Sequence, residues 1–244
     1  MPQISATIIT LNEEGRIAEA IASLACCDEV IVVDSGSSDR TRDIATKLGA
    51  RVITRNWEGY SKQKNFAAAQ SRHDWILSID ADERVSAELS EEILRWKTAD
   101  SRFAAMSMPR RAFYLGRWIR HSGWYPDRKI RLYDRRHARW QGDFVHESMV
   151  VDGPVGRLHH DLLHLPYRNW QDHLDHVDHY TRLAAAEARK QGKRGNPVRL
   201  VLAPPASFLK TLFRRGGVWD GWRGFLIAYM AARYIYIRER RKFG

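Results

Sequence analysis

Three short apolar runs, each ending in or beside acidic residues, restrict the fold of this chain more than any other feature. Residues 5–11 (SATIITL), 29–34 (EVIVVD) and 74–80 (DWILSID) read as buried strands. Stretches of helical period lie between them: EEGRIAEAIASLACC after the first, RTRDIATKLG after the second, and YSKQKNFAAAQS before the third. Asp39 is placed to cap the second of these helices and Gly49 to close it. ARVITR adds a short strand, ADERVS a loop and AELSEEILRWK an amphipathic helix. Strand and helix therefore alternate at βαβ spacing. This predicts an α/β fold with a Rossmann-like, mostly parallel sheet, right-handed crossovers and flanking helices.

Beyond residue 103 the pattern changes. FAAMSMPRRAFYLG, RKIRLYD and FVHESMVVDG read as strands between Gly-, Pro- and Trp-rich loops, and a long helix follows over residues 167–190. GKRGNP is a hinge-like break before helical segments at 205–214 and 220–240, a C-terminal helical extension. A chain of 244 residues with 44% hydrophobic side chains has room for one large domain or two small ones and is not disordered. Cys26 and Cys27 are adjacent, which suits neither a routine disulfide nor a CxxC metal site, and residue 1 is not followed by a secretory pattern. A reducing, cytoplasmic setting is the expectation.

Charge separates the chain further. Residues 186–244 hold 14 basic and 3 acidic side chains, so the whole net charge of +11 resides there. Such a block meets an anionic partner, either nucleic acid or a lipid surface. The best span candidate, residues 225–237, is shorter than the roughly 20 residues a bilayer requires and contains Arg233. An interfacial position is expected instead.

In open parallel sheets, ligands bind beyond the carboxyl ends of the strands. Asn12 and Glu13 follow the first strand, Asp34 ends the second, and Asp80, Ala81 and Asp82 end the DWILSID strand. For the DAD string two readings stand. Asp82 either caps the following turn, or the paired carboxylates hold Mg²⁺ or Mn²⁺ against a diphosphate, since hard cations take oxygen ligands and leave positions open for phosphate. Gathering the strand-end acids on one rim favours the second reading. Neither GxGxxG nor GxxxxGK[ST] occurs, which argues against dinucleotide enzymes and P-loop NTPases.

TIITLNEE, VIVVDSGSSDRT, SKQKNFA and WILSIDADE, in this order and spacing, resemble the nucleotide half of family 2 glycosyltransferases with the GT-A fold. The resemblance implies that Thr10, Leu11, Asn12, Glu13, Asp34, Lys64, Asp80 and Ala81 bind the nucleotide-sugar. Glu13 and Asp34 would line the base pocket, Lys64 would sit near base and phosphates, and Asp80 would contact the ribose or assist the metal that Asp82 ligates. GWYPDRKIRLYDRRHARWQGDFVHESMVVDG, LLHLPYRNW and GGVWDGWRGFLIAYMAARY resemble the bacterial branch that includes lipopolysaccharide inner-core beta-glucosyltransferases. That implies a UDP-sugar donor, glucose foremost, and a lipid-linked glycan acceptor. The QxxRW string of processive synthases is missing, which favours single addition. The implied organisation is a nucleotide-sugar half over 1–100, an acceptor and catalytic half over 101–166, and a basic, membrane-facing extension over 167–244.

An inverting transfer requires a carboxylate to take the acceptor's proton while the leaving diphosphate is neutralised on the far side. Glu147 is the candidate base, with Asp143 as substitute; the alternative is a strand-end acid paired with an Arg. His146 either orients the acceptor or is an ordinary core histidine. Arg128 and Arg131 are candidate phosphate or acceptor contacts, or charges on a solvated face, and Trp124 is a candidate sugar-stacking ring or a core residue. Asp172–His176 and Asp175–His179 have helical spacing, read either as a zinc site or, better without an HExxH string, as Asp–His pairs on a wetted face. The C-terminal helices either lie in a membrane interface, Arg beside anionic headgroups, or pack on the catalytic domain. The resulting expectation is a metal-dependent, inverting glycosyltransferase, peripheral on the inner face of the cytoplasmic membrane. Two rivals are weaker: a sugar nucleotidyltransferase would carry a Gly-rich basic loop where TLNEEGRI is acidic, and an anionic-surface or nucleic-acid-binding module leaves the strand-end acids unexplained.

Overall fold

The first strand, β1 (Ile4–Thr10), runs parallel to β2 (Glu29–Asp34) on one side and to β4 (Trp75–Asp80) on the other, and β2 runs parallel to β3 (Arg51–Thr54). The computed structural model describes residues 1–99, 102–142 and 147–243. It divides into two compact units, Met1–Arg110 with Arg128–His164, and Arg111–Asp127 with Leu165–Gly244.

In the first unit the strand order is β3-β2-β1-β4, continued by β8 (Asp127–Asp134), β6 (Ala105–Tyr114), β12 (Leu162–His164) and β5 (Glu83–Val85). The order reverses between β1 and β4, and the register sets Thr10 opposite Asp34 and Ile9 opposite Asp80, so three strands end level beside the switch. β8 is antiparallel to β4, making the sheet mixed beyond its parallel core.

The period-2 alternation of the strands explains the layers. Ile4, Ala6, Ile8, Val32, Leu77 and Ile79 pack on one face with α1 (Ile17–Ala22) and α4 (Ala87–Thr98), through Ile17, Ile21, Leu89 and Ile93. Ile31 and Val33 meet Ala67 of α3 (Tyr60–Ala69) on the other face, and Ile76 meets Ala68. Covering both faces is why these strands are apolar throughout; burying each such Ile or Leu contributes about 2 kcal/mol.

The helix α2 (Thr41–Lys47) follows a turn in which Asp39 accepts from the Thr41 amide, and Gly49, at φ +83°, closes it as the sequence indicates. Ser86 caps α4 by accepting from the Leu89 amide. Two expectations need correction. The helix after β1 is short, and ADERVS is not simply a loop: residues Glu83–Val85 form β5, paired antiparallel with β12, whose register sets His164 opposite Glu83. Three residues carry no readable period, so this pairing is invisible to pattern.

The second unit gathers the end of β6, the short β7 (Arg117–Trp118), α5 (Trp170–Lys190), α6 (Pro197–Leu209) and α7 (Trp222–Arg240). Its core joins Tyr114, Ile119 and Ile227 with Trp124, Tyr167 and Trp170. Buried Asp220 accepts from the amides of Arg120 and His121 and from Ser122 Oγ, tying the 111–127 segment to the turn before α7. Gly224 is obligatory there, because a Cβ would fall 1.8 Å from the Gly217 carbonyl oxygen. The helix expected from residue 205 begins at Pro197, capped by Asn196, and runs through Pro204 and Pro205 into a π-helical turn, Lys210–Arg214. Two prolines inside a helix are a poor guide to its start.

Candidate active site

The loops after β1 and β2 are laced into one rim at the level end of the sheet. Asn12, at φ +55°, accepts on Oδ1 from the Ser38 amide at 2.9 Å, its own amide donates to Ser37 Oγ, and the Glu13 amide donates to Thr41 Oγ1 at 2.8 Å. Asp34 is fully buried and organises this loop: Oδ1 accepts from the amides of Gly36 and Ser37, and Oδ2 from Ser37 Oγ. Thr10 Oγ1, at the end of β1, is buried and makes no hydrogen bond among the described residues, while Leu11 is exposed. Glu13 Oε2 lies 3.8 Å from Arg16.

A chain of alternating charges lies at the end of β4. Lys64 points inward because it shares the buried face of α3 with Ala67 and Ala68. Only 1% exposed, its Nζ sits 2.8 Å from Glu147 Oε1 and 3.0 Å from Asp80 Oδ1, and 4.4 Å from the Trp140 ring centroid. Asp80 Oδ2 accepts from Arg131 at 2.7 Å; the same Arg131 nitrogen donates to Glu83 Oε1 at 2.7 Å, and Glu83 also takes Arg110 at 3.1 Å. Burial by itself would raise the Asp80 pKa, but the Arg131 and Lys64 charges outweigh it and hold the carboxyl well below the usual range. Burial likewise opposes the charge on Arg131, and Asp80 and Glu83 reverse that effect and raise its pKa. Asp80 is therefore a permanent anion with both oxygens engaged.

Glu147 directly precedes a paired strand. β9 (Ala138–Gln141) pairs with β10 (Ser148–Val151), and Asn65 of α3 clamps β9 by exchanging two hydrogen bonds with the Trp140 backbone, at 2.8 and 2.9 Å. Lys64 engages only Oε1 of Glu147; Oε2 is buried and accepts no hydrogen bond among the described residues. His146 and Asp143 lie outside the described residues.

Asp82 Oδ2 stands 3.3 Å from Nε2 of His164, which β12 brings alongside β5. Among the described residues no three His, Cys, Asp or Glu side chains converge as a metal site. With Asp80 committed to Lys64 and Arg131, the donors free to share a divalent cation are Asp82 and His164. One carboxylate and one imidazole, with the remaining positions open, fit a cation that completes its shell with phosphate oxygens and water. Sequence reading missed His164, Glu83 and Arg110, because each acts through strand pairing that pattern does not reveal.

The other candidates have different partners. Arg128 donates to the carbonyls of Ser107 and Leu158 at 2.8 and 2.7 Å. Ala81 is buried, and its carbonyl accepts from Arg84. Trp124 belongs to the second unit, beside Tyr114, Tyr167 and His173. Within that unit Asp172 takes Arg168 and Asp175 takes Gln171, while His176 stacks on Tyr180 at 4.2 Å. Burial lowers the His173 pKa to about 4, and its Nδ1 shares a hydrogen bond of 2.7 Å with the Tyr114 hydroxyl.

Residues 5–152 match the family model described as glycosyl transferase family 2. The lipopolysaccharide core biosynthesis glycosyltransferase LpsC of Rhizobium meliloti is 32% identical over 96% of this chain and 89% of its own. An uncharacterized glycosyltransferase of Rickettsia typhi, RT0209, is 34% identical over 99% of this chain and 88% of its own. Among solved structures, S. aureus TarS aligns with 55% of this chain and 28% of its own at 22% identity, with a TM-score of 0.43.

Proposed function

The chain belongs to glycosyl transferase family 2, and from that premise we propose that it moves a hexose, glucose foremost, from a UDP-sugar to a lipopolysaccharide-core-like, lipid-linked acceptor with inversion at the anomeric carbon. The observation that carries this reading is the Glu147–Lys64–Asp80–Arg131 cluster at the carboxyl ends of the parallel strands, beside the switch between β1 and β4. The similarity to an enzyme of lipopolysaccharide core synthesis supports the acceptor class.

In the proposed reaction the acceptor oxygen bonds to the anomeric carbon as the bond from that carbon to the diphosphate breaks. Oε2 of Glu147, free of other partners among the described residues, takes the hydroxyl proton, while Lys64 fixes Oε1 and so the orientation of the carboxylate. Thr10, Leu11, Asn12, Glu13 and Asp34 frame the uracil end, and Asp80 and Ala81 lie toward the ribose and phosphates. Asp82 and His164 would hold Mg²⁺ or Mn²⁺, which supplies neutralising charge to the leaving diphosphate. Arg131, buried and paired with Asp80, sets the carboxylates.

We place the enzyme at the cytoplasmic face of the membrane, peripherally. No helix among the described residues is long and apolar enough to cross a bilayer, yet Trp219 is 73% exposed and Phe213 63%, next to Arg214 and Arg215. Aromatic rings flanked by arginines suit an anionic interface. The test is a screen of nucleotide sugars for acceptor-dependent release of nucleoside diphosphate, with defined lipopolysaccharide-core acceptors, with and without chelator. UDP-glucose is expected to release UDP only with acceptor and metal. Absence of turnover with every nucleotide sugar overturns the proposal.

A further inference from the structure

The second unit carries a charged groove that the transfer chemistry does not use. It lies among α5, α6 and α7, has a volume of about 910 Å³, and is lined by Arg182, Arg189, Arg233, Arg240 and Arg241. Helix period explains the gathering. Arg233 and Arg240 are seven residues apart on α7, as are Arg182 and Arg189 on α5, so each pair shares a face.

The groove is short of acid. Asp178 serves both Arg182, at 2.7 Å, and Arg241, which also donates to the Asp178 carbonyl and to Thr181 Oγ1. Those bonds fix one wall by tying the end of α7 to α5. Arg189, Arg233 and Arg240 are exposed, and their side chains make no ion pair or hydrogen bond among the described residues. Converging like charges repel unless an anion joins them, and the planar guanidinium fork matches phosphate oxygens two at a time.

We propose that this groove is a binding site for the phosphate headgroup of an anionic membrane lipid, held by Arg189, Arg233 and Arg240. The proposal rests on the membrane-facing part of the proposed function and is independent of its transfer chemistry. The walls distinguish a lipid from a soluble anion: Pro204, Tyr229, Tyr236 and Ile237 line the groove beside the arginines. α6 buries none of its residues, and it leaves Val198, Val201 and Leu202 exposed. A headgroup among the arginines, with its glycerol and first methylenes along the apolar wall, satisfies both halves of the surface. The volume lies within the range of small-ligand sites.

Binding of the full chain to phosphatidylcholine vesicles containing phosphatidylglycerol, measured by sedimentation without any sugar nucleotide, tests this. Replacing all three residues (Arg189→Gln, Arg233→Gln, Arg240→Gln) is expected to weaken binding about a hundredfold, each basic residue at an anionic surface contributing a factor of roughly five. A control with the same charge change outside the groove (Lys190→Gln, Lys193→Gln, Arg194→Gln) is expected to lose under about tenfold. Equal losses would mean diffuse attraction and would overturn the site. Glycerophosphate is expected to compete weakly; competition as strong as that of the vesicles would make it a soluble-phosphate site and would overturn the lipid. Unchanged melting of the triple variant and partial retention of binding by Arg233→Lys keep the result separate from misfolding. Because no donor is present, loss of the transfer reading leaves this outcome untouched.

Discussion

Lys64 and Glu147, 83 residues apart in the chain, meet at 2.8 Å through Nζ and Oε1. The contact anchors one carboxylate oxygen and leaves the other unengaged among the described residues, the asymmetry a positioned proton acceptor requires. Glu147→Gln keeps the shape and the acceptor oxygen for Lys64 while removing the basic oxygen. Transfer is expected to fall about 10²- to 10⁴-fold, with UDP affinity by calorimetry unchanged. Turnover within a few-fold of the parent would remove Glu147 from the role.

Lys64 itself is a structural keystone. Lys64→Met leaves Asp80 and Glu147 facing each other without the cation between them, although Arg131 still holds Asp80. Unfolding free energy is expected to drop by about 3 kcal/mol, as when one member of a buried ion pair is removed. Denaturant melts measure this, and a loss below about 0.5 kcal/mol, the scale of surface substitutions, would show that the pair is solvated.

Asp82 and His164 offer a mixed oxygen and nitrogen donor set. Imidazole suits Mn²⁺ better than Mg²⁺, so half-maximal activity is expected at lower Mn²⁺ than Mg²⁺. His164→Ala should raise the Mn²⁺ requirement at least about tenfold and narrow the gap between the metals. Manganese titration by paramagnetic resonance reads the same affinity without turnover. Indifference of both measurements to His164→Ala would leave Asp82 to other partners.

The parallel core was legible because strands covered on both faces are apolar throughout and end at acids, as at Asp34 and Asp80. The same rule points to the candidate site. What could not be read was partnership across long separations. Glu83 and Arg110 sit 27 residues apart, His164 reaches Asp82 only because three-residue strands pair, and Asp220 finds Ser122 across 98 residues. Lys64 was legible as a candidate but not as the bridge between two carboxylates, since its helix gives its face and not what stands opposite.

Glu92 ties α4 to the segment that delivers His164. Its carboxylate accepts from the amides and Nδ1 atoms of His159 and His160. Burial raises its pKa, but the bonds from His160 and His159 prevail and hold it at about 2 against an ordinary 4.5. A depressed folded value means stabilisation that is complete above about pH 4.5 and is lost as pH falls toward 2. Urea midpoints of the parent should fall across that window more steeply than those of Glu92→Gln. Parallel slopes would show that the clamp does not couple to folding.

Trp219 and Trp222 separate the two readings of the C-terminal helices. α7 supplies Ile227 and Met230 to the second unit's buried residues, so deleting the helices would unfold what is to be tested. Trp219 and Trp222, in contrast, are 73% and 59% exposed, and their removal spares the core. Trp219→Ala with Trp222→Ala is expected to leave thermal stability within about 0.5 kcal/mol, as for surface substitutions generally. Flotation with anionic liposomes should fall at least about tenfold, since each ring carries the apolar area that interfacial helices bury among lipid. High salt weakens the arginine attraction and leaves this apolar contribution in place. The double variant should therefore release from liposomes at lower salt than the parent, and identical salt profiles would mean that the rings do not enter the interface.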